Sequence, residues 1–78
     1  MEFLVNLNEV ENVKRFVEIA GTYGCDVMVK NMERGFTVDG SSIMGMFSLD
    51  LSKPVVVHIE DTKAGRDFKA DVAKFVVE

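Results

Sequence analysis

Apolar residues in this chain change their spacing along its length, and that change limits the folds open to it more than any other feature. Phe3, Val5 and Leu7 fall on every second position, as a strand with one buried face requires. From there the period lengthens: Val10, Val13, Phe16, Val17 and Ala20 recur at three- and four-residue intervals, with Glu11, Lys14, Arg15 and Glu18 on the opposite side of the helix they predict. Val27 and Val29, then Phe36 and Val38, return to alternation on either side of a Glu33-Arg34-Gly35 break, the pattern of a β-hairpin. Lys53-Pro54 opens the β-branched run Val55-Val56-Val57-His58-Ile59, whose first, third and fifth residues face inward and whose proline suits a strand start. A second helical stripe follows from Asp61 or Thr62 through Ala64, Phe68, Val72, Phe75 and Val76, with Gly65 a local weakness of about 1 kcal/mol.

Punctuation between these runs agrees with their periods. Asn8, followed three residues later by Glu11, forms a capping-box variant for the first helix, and Gly21 and Gly24 supply stop signals, the better one after Tyr23. Asp39-Gly40-Ser41 reads as a turn, and Ser41 or Ser42 can cap a short helix between Ser42 and Leu49. The order is then strand, helix, strand, strand, short helix, strand, helix, an α+β arrangement in which helices cover one face of an antiparallel sheet. Leu4, Asn6, Met28, Lys30, Thr37, Val56 and His58 belong to the other face. With 78 residues, of which 47% are hydrophobic, the chain can hold one core, so residues 1–78 are expected to form a single domain.

Several functions are excluded by what the chain carries. Thirteen acidic against nine basic residues leave a net charge of -4, a field that repels phosphate backbones, so nucleic acid is not an expected partner. No apolar stretch has the length of a membrane span, Glu2 interrupts any signal-peptide reading, and a lone cysteine suits a reducing compartment, so a cytoplasmic location is expected. Cys25 itself reads as a small apolar residue at a turn edge. One histidine and one cysteine are too few for a zinc site, and no metal or cofactor is expected. His58 has the outward parity of its strand and reads as a solvated sheet-face histidine, with no orienting acid or nucleophile elbow to pair with Ser42 or Ser48. Gly35, Gly40 and Gly45 are spaced too irregularly for a phosphate loop or dinucleotide fingerprint. The chain is therefore expected to be bound or modified rather than to act as an enzyme.

The segment Ser42-Ile43-Met44-Gly45-Met46-Phe47-Ser48-Leu49 crowds five large apolar side chains onto a helix too short to bury them all. Met46 and Leu49 suit the core; Ile43, Met44 and Phe47 suit a surface for a partner, and a phosphate on Ser42 would lie beside unpaired N–H groups at a helix start. Here, through Ser42, Ile43, Met44, Gly45, Ser48 and Leu49 and on into Asp50-Leu51-Ser52-Lys53, the sequence resembles HPr, the small phosphocarrier of the bacterial sugar phosphotransferase system, and its regulatory relative Crh. The resemblance implies an open-faced β-sandwich of order βαββαβα, with a four-stranded antiparallel sheet covered on one face by three helices.

Members of that family carry a transferable phosphate on a histidine at the start of the first helix, in a Gly-Ile-His-Ala-Arg-Pro-type segment. The corresponding Asn8-Glu9-Val10-Glu11-Asn12 has no histidine, arginine or proline, and Glu9 and Glu11 oppose an incoming phosphate by like charge. What the resemblance does carry over is the regulatory serine. It makes Ser42 the candidate phosphoacceptor for an HPr-type kinase, and Ile43, Met44, Phe47 and Leu49 the candidate docking residues for proteins such as a catabolite-control transcription regulator. Ser41 stands where a basic residue often precedes that serine. The expected function is thus a non-carrier, Crh-like regulatory module. A small-molecule-sensing ferredoxin-like domain of the ACT type, with the same run of elements, is the alternative, and a degenerate paralogue kept as a packing partner is a third reading.

Overall fold

Alternation and β-branching place four of the strands where the sequence puts them. In the computed structural model, which describes residues 1–33 and 35–77, β1 is Glu2–Val5, β2 Val27–Asn31, β3 Val38–Asp39 and β4 Val55–Ile59. Three α-helices lie between and after them: α1 Val10–Tyr23, α2 Ile43–Phe47 and α3 Lys63–Asp71. A fifth strand, β5 at Val76–Val77, follows a 3-10 turn at Ala73–Phe75. The sheet order is β3-β2-β4-β1-β5, and all its pairings are antiparallel. A ferredoxin-like sheet is also antiparallel but has its fourth strand at an edge, in the order β4-β1-β3-β2; here β4 lies between β2 and β1, so strand order separates the two architectures that the element order left open.

The sheet therefore has five strands rather than the expected four. Val76, placed on the last helical stripe by its spacing, leaves the helix and pairs with Val5, while Val77 pairs with Leu4. The outer edge of β1 would otherwise expose a row of unpaired N–H and C=O groups, and two β-branched residues cover part of it. The Asn6 N–H, donating to the Phe75 carbonyl at 2.8 Å, extends the same seam. Phe36 also departs from expectation: it lies outside β3 and is exposed. Arg34, in the break before it, lies outside the described residues.

Helices α1 and α3 pack over one face of the sheet. Val13, Phe16, Ile19 and Ala20 of α1 meet Phe68, Val72 and Phe75 above Val5, Val27, Val29, Val55, Val57 and Ile59. Phe16 and Phe68 meet edge to face with centroids 5.5 Å apart, and the Tyr23 ring packs on Phe68 at 6.3 Å. The Tyr23 hydroxyl donates to Asp71, joining the end of α1 to the end of α3 and raising the phenol's pKa. Gly24 ends α1 in the left-handed conformation at φ 65°, where a side chain would be strained. Cys25 is half-buried against the core's edge.

The start of α1 differs from its sequence reading. Glu9, not Asn8, is the residue before the first turn, and no side chain caps it; the Asn8 N–H donates to Asn6 Oδ1 instead. Val10, expected in the buried stripe, is 55% exposed, because the first turn of α1 carries it away from the core that begins at Val13. Among the described residues, no helix is long and apolar enough to cross a membrane.

Candidate functional site

The α2 segment begins with a tightly tied turn. Asp39 Oδ1 accepts from both the N–H and the hydroxyl of Ser41, at 2.8 and 2.7 Å. These bonds, the hydroxyl's first, favour the ionised carboxyl and hold its pKa below the ordinary value. The Ser42 N–H then donates to the Asp39 carbonyl at 3.0 Å, and Ser42 becomes the N-cap, its Oγ accepting from the Gly45 N–H at 3.1 Å. Of the two serines offered as caps, Ser42 takes the role and Ser41 braces the turn before it. At the far end the Ser48 hydroxyl donates to the Gly45 carbonyl, at 2.6 Å.

The helix so fixed divides its apolar residues between two sides. Met46 is fully buried and Leu49 is 6% exposed, both part of the core. Met44 is 83% exposed, Phe47 47% and Ile43 37%. Leu49 therefore anchors the segment from beneath and is absent from the outer surface that the other three candidates form. Beyond it the Asn31 side chain, nearly buried, clamps the chain between α2 and β4: its Nδ2 donates to the Asp50 carbonyl at 2.8 Å and its Oδ1 accepts from the Asp50 N–H at 3.1 Å. That clamp had no signature in the sequence, since asparagine at a strand end reads equally well as solvent-facing.

Two other places were weighed for chemistry, and the sequence argued against both. The opening turn of α1 presents Glu9, Val10 and Glu11, all exposed, around a helix start without a side-chain cap. His58 is on the outer face of β4, opposite the core, with its Nδ1 3.3 Å from Glu2 Oε2 on β1. There it borders a shallow depression with Glu2, Met28, Lys30, Thr37 and Val56, the mixed outer face read from the strand parity. The sheet thus separates the chain's one histidine from all three helices.

With this geometry the chain can be set beside known proteins. The family model described as the PTS HPr component phosphorylation site matches residues 10–76. The chain belongs to the HPr family. No curated protein sequence matches it. Among solved structures, the phosphocarrier protein HPr from Bacillus anthracis superposes with a TM-score of 0.74 at 22% identity, over 99% of this chain and 94% of its own. Crh, the catabolite repression protein of Bacillus subtilis, whose structure is described as a domain-swapped dimer, superposes with a TM-score of 0.61 at 24% identity, over 96% of this chain and 88% of its own. The histidine-containing phosphocarrier protein of Mycoplasma reaches the same TM-score, 0.61, at only 9% identity. At such identities these likenesses carry the fold and leave each HPr-family residue to be judged on its own surroundings. In this HPr-family chain, the Ser42 to Leu49 segment has a capping serine and an outward apolar side, whereas the start of α1 offers carboxylates and no imidazole.

Proposed function

We propose that this HPr-family chain is a non-carrier, Crh-like regulatory module: one cytoplasmic domain, itself no enzyme, that binds other proteins through Ile43, Met44 and Phe47 beside a phosphorylatable Ser42. The position of its one histidine carries the reading. His58 is on the outer sheet face, and phosphoryl relay from a helix start needs an imidazole nitrogen where this chain has Glu9, Val10 and Glu11. Carboxylates there repel a phosphoryl donor by like charge, and a carboxamide such as Asn8 or Asn12 is no nucleophile toward phosphorus.

Support for the regulatory half comes from α2. Three large apolar side chains are spent on its outer side although the core beneath is already filled by Met46 and Leu49. Ser42 is half-buried, with its hydroxyl oxygen engaged as a cap, so phosphorylation must replace that bond by phosphoryl contacts to the same N–H groups. A kinase of the HPr type and a catabolite-control regulator are the partners this reading expects.

Two labelling reactions test it. With enzyme I and phosphoenolpyruvate the purified chain is expected to stay unlabelled; acid-labile phosphate on residues 8 to 15 would overturn the non-carrier reading. With an HPr-type kinase and ATP, acid-stable phosphate is expected on Ser42 and lost in Ser42→Ala. Labelling that persists in that variant would remove Ser42 from the proposal.

A further inference from the structure

We propose that the outer face of the sheet holds a binding site for a small aromatic carboxylate that carries a hydrogen-bond donor at its far end, a molecule of the hydroxybenzoate kind. The site is on the side of the sheet away from the helices, so it stands or falls separately from the reading of α2.

Strand register builds it. Glu2 pairs with His58, His58 with Met28, and Met28 with Asp39, so these four residues form one row across β1, β4, β2 and β3. Two positions along the strands, Leu4, Val56 and Lys30 form the next row. Directly opposite residues share a face, and both rows have the parity opposite to buried Val5, Val57 and Val29. Glu2, Met28, Lys30, Thr37, Val56 and His58 from these rows and their edge line a depression of about 230 Å³. Met28 and Val56, both half-buried, give it an apolar middle.

The two ends of the depression differ in what they offer. Lys30 is half-buried, and among the described residues its ammonium is in no ion pair. The other row carries a carboxylate at each end, Glu2 and Asp39, so an anionic group entering the depression is directed to Lys30. His58 turns Nδ1 toward Glu2 Oε2 at 3.3 Å; with the proton of the neutral imidazole held there, Nε2 is left as an acceptor for a donor on the ligand. Lys30 and His58 are diagonal neighbours on β2 and β4, a spacing of about 7–8 Å that a benzene ring substituted at opposite ends bridges. Met28 pairs with His58 beside that line, and its thioether favours an aromatic ring over an aliphatic chain of equal length. An apolar middle between two polar ends is how a small-molecule pocket orients its ligand. The depression is shallow and the ligand small, so the expected Kd is on the order of 1 mM.

The probe is para-hydroxybenzoate, titrated into the isotope-labelled chain at about pH 8, where an ordinary imidazole is neutral, and followed by amide NMR shifts. Saturable shifts are expected at Met28, Lys30, Thr37, Val56 and His58, and not in α1 or α2. Benzoate, which lacks the donor, and para-hydroxybenzamide, which lacks the charge, should each bind about threefold more weakly or worse. Lys30→Gln should erase the advantage of the acid over the amide, and His58→Phe the advantage of the hydroxyl. Both positions lie off the core, and unchanged shifts in the helices of each variant check that it is folded. No saturable shift at about ten times the expected Kd would overturn the site. Equal binding of the three probes, or advantages that survive Lys30→Gln and His58→Phe, would remove both polar ends and with them the proposal.

Discussion

Helices α2 and α3 start in the same way and end up serving opposite purposes. In each, a hydroxyl residue caps a glycine three positions on: Ser42 Oγ accepts from the Gly45 N–H and Thr62 Oγ1 from the Gly65 N–H, both at 3.1 Å. At α3 the turn is pressed against the chain that feeds it. A Cβ on Gly65 would come within 2.2 Å of the Glu60 carbonyl oxygen, and Gly65 itself is buried. At α2 a Cβ on Gly45 would meet Ser42 Oγ at 3.2 Å and Val38 Cβ at 3.4 Å, contacts that small movements relieve. One cap locks a helix down over the core with Phe68 beneath it; the other holds a short helix in place while its apolar residues face out. Local capping chemistry thus fixes where a helix begins, and the depth of the surrounding packing decides what that helix is for.

The comparison breaks most easily at the two glycines. Gly65→Ala is expected to cost about 3 kcal/mol or more, since backbone must move to admit the methyl group, despite alanine's higher helix propensity. Gly45→Ala should fall within about 1 kcal/mol of the parent, as propensity offsets a mild crowding. Urea denaturation of the two variants checks the contrast, and equal losses would dissolve it.

A second contrast lies within α2. Met46→Ala removes a fully buried side chain and is expected to cost about 2–5 kcal/mol. Met44→Ala, two residues away but facing out, should change stability by less than about 0.5 kcal/mol. Thermal denaturation of this pair measures how sharply the short helix divides into an anchoring side and a presenting side.

These contrasts also mark how far the sequence could be read. Hydrophobic period placed four strands and three helices, and set Met46 apart from Ile43, Met44 and Phe47, because each rests on residues a few positions apart; Leu49, which the resemblance put among the docking residues, lies in the core instead. Terms set by how the backbone turns or by distant pairing escaped periodicity. Gly65 read as a propensity defect, yet it is the one residue that fits against Glu60, a contact set by how the chain turns before α3. Val76 read as helix because its spacing continued the stripe; the free edge of β1, more than 70 residues earlier in the chain, drew it into the sheet instead. Val10 read as core because periodicity does not say where the sheet beneath a helix ends. At the candidate site, the outward apolar side was legible, but Asp39's grip on Ser41 and the Asn31 clamp on Asp50 were not, since both depend on turn geometry.

The caps themselves should weigh alike. Ser42→Ala and Thr62→Ala each remove one acceptor from an N–H at a helix start, and each is expected to cost about 1 kcal/mol. A much larger loss for Thr62→Ala would mean that the α3 cap and the Glu60 contact act as one unit, to be measured by a double-mutant cycle with Gly65→Ala.

The smallest effect separates the turns before the two caps. Asp39 has its pKa lowered in the folded chain by the Ser41 hydroxyl and N–H, so folding favours its ionised form. The unfolded chain then binds that proton more readily. The stabilisation is present above the unfolded carboxyl's pKa and is lost as pH falls through the lower folded value. Exposure to water keeps it slight. Asp39→Asn should therefore flatten the acid limb of the stability profile a little while leaving the neutral plateau lower by no more than the lost turn bonds. An NMR pH titration of Asp39 gives the direct check: a midpoint at or above that of an ordinary aspartate would detach the carboxylate from the α2 turn and remove the feature that distinguishes it from α3.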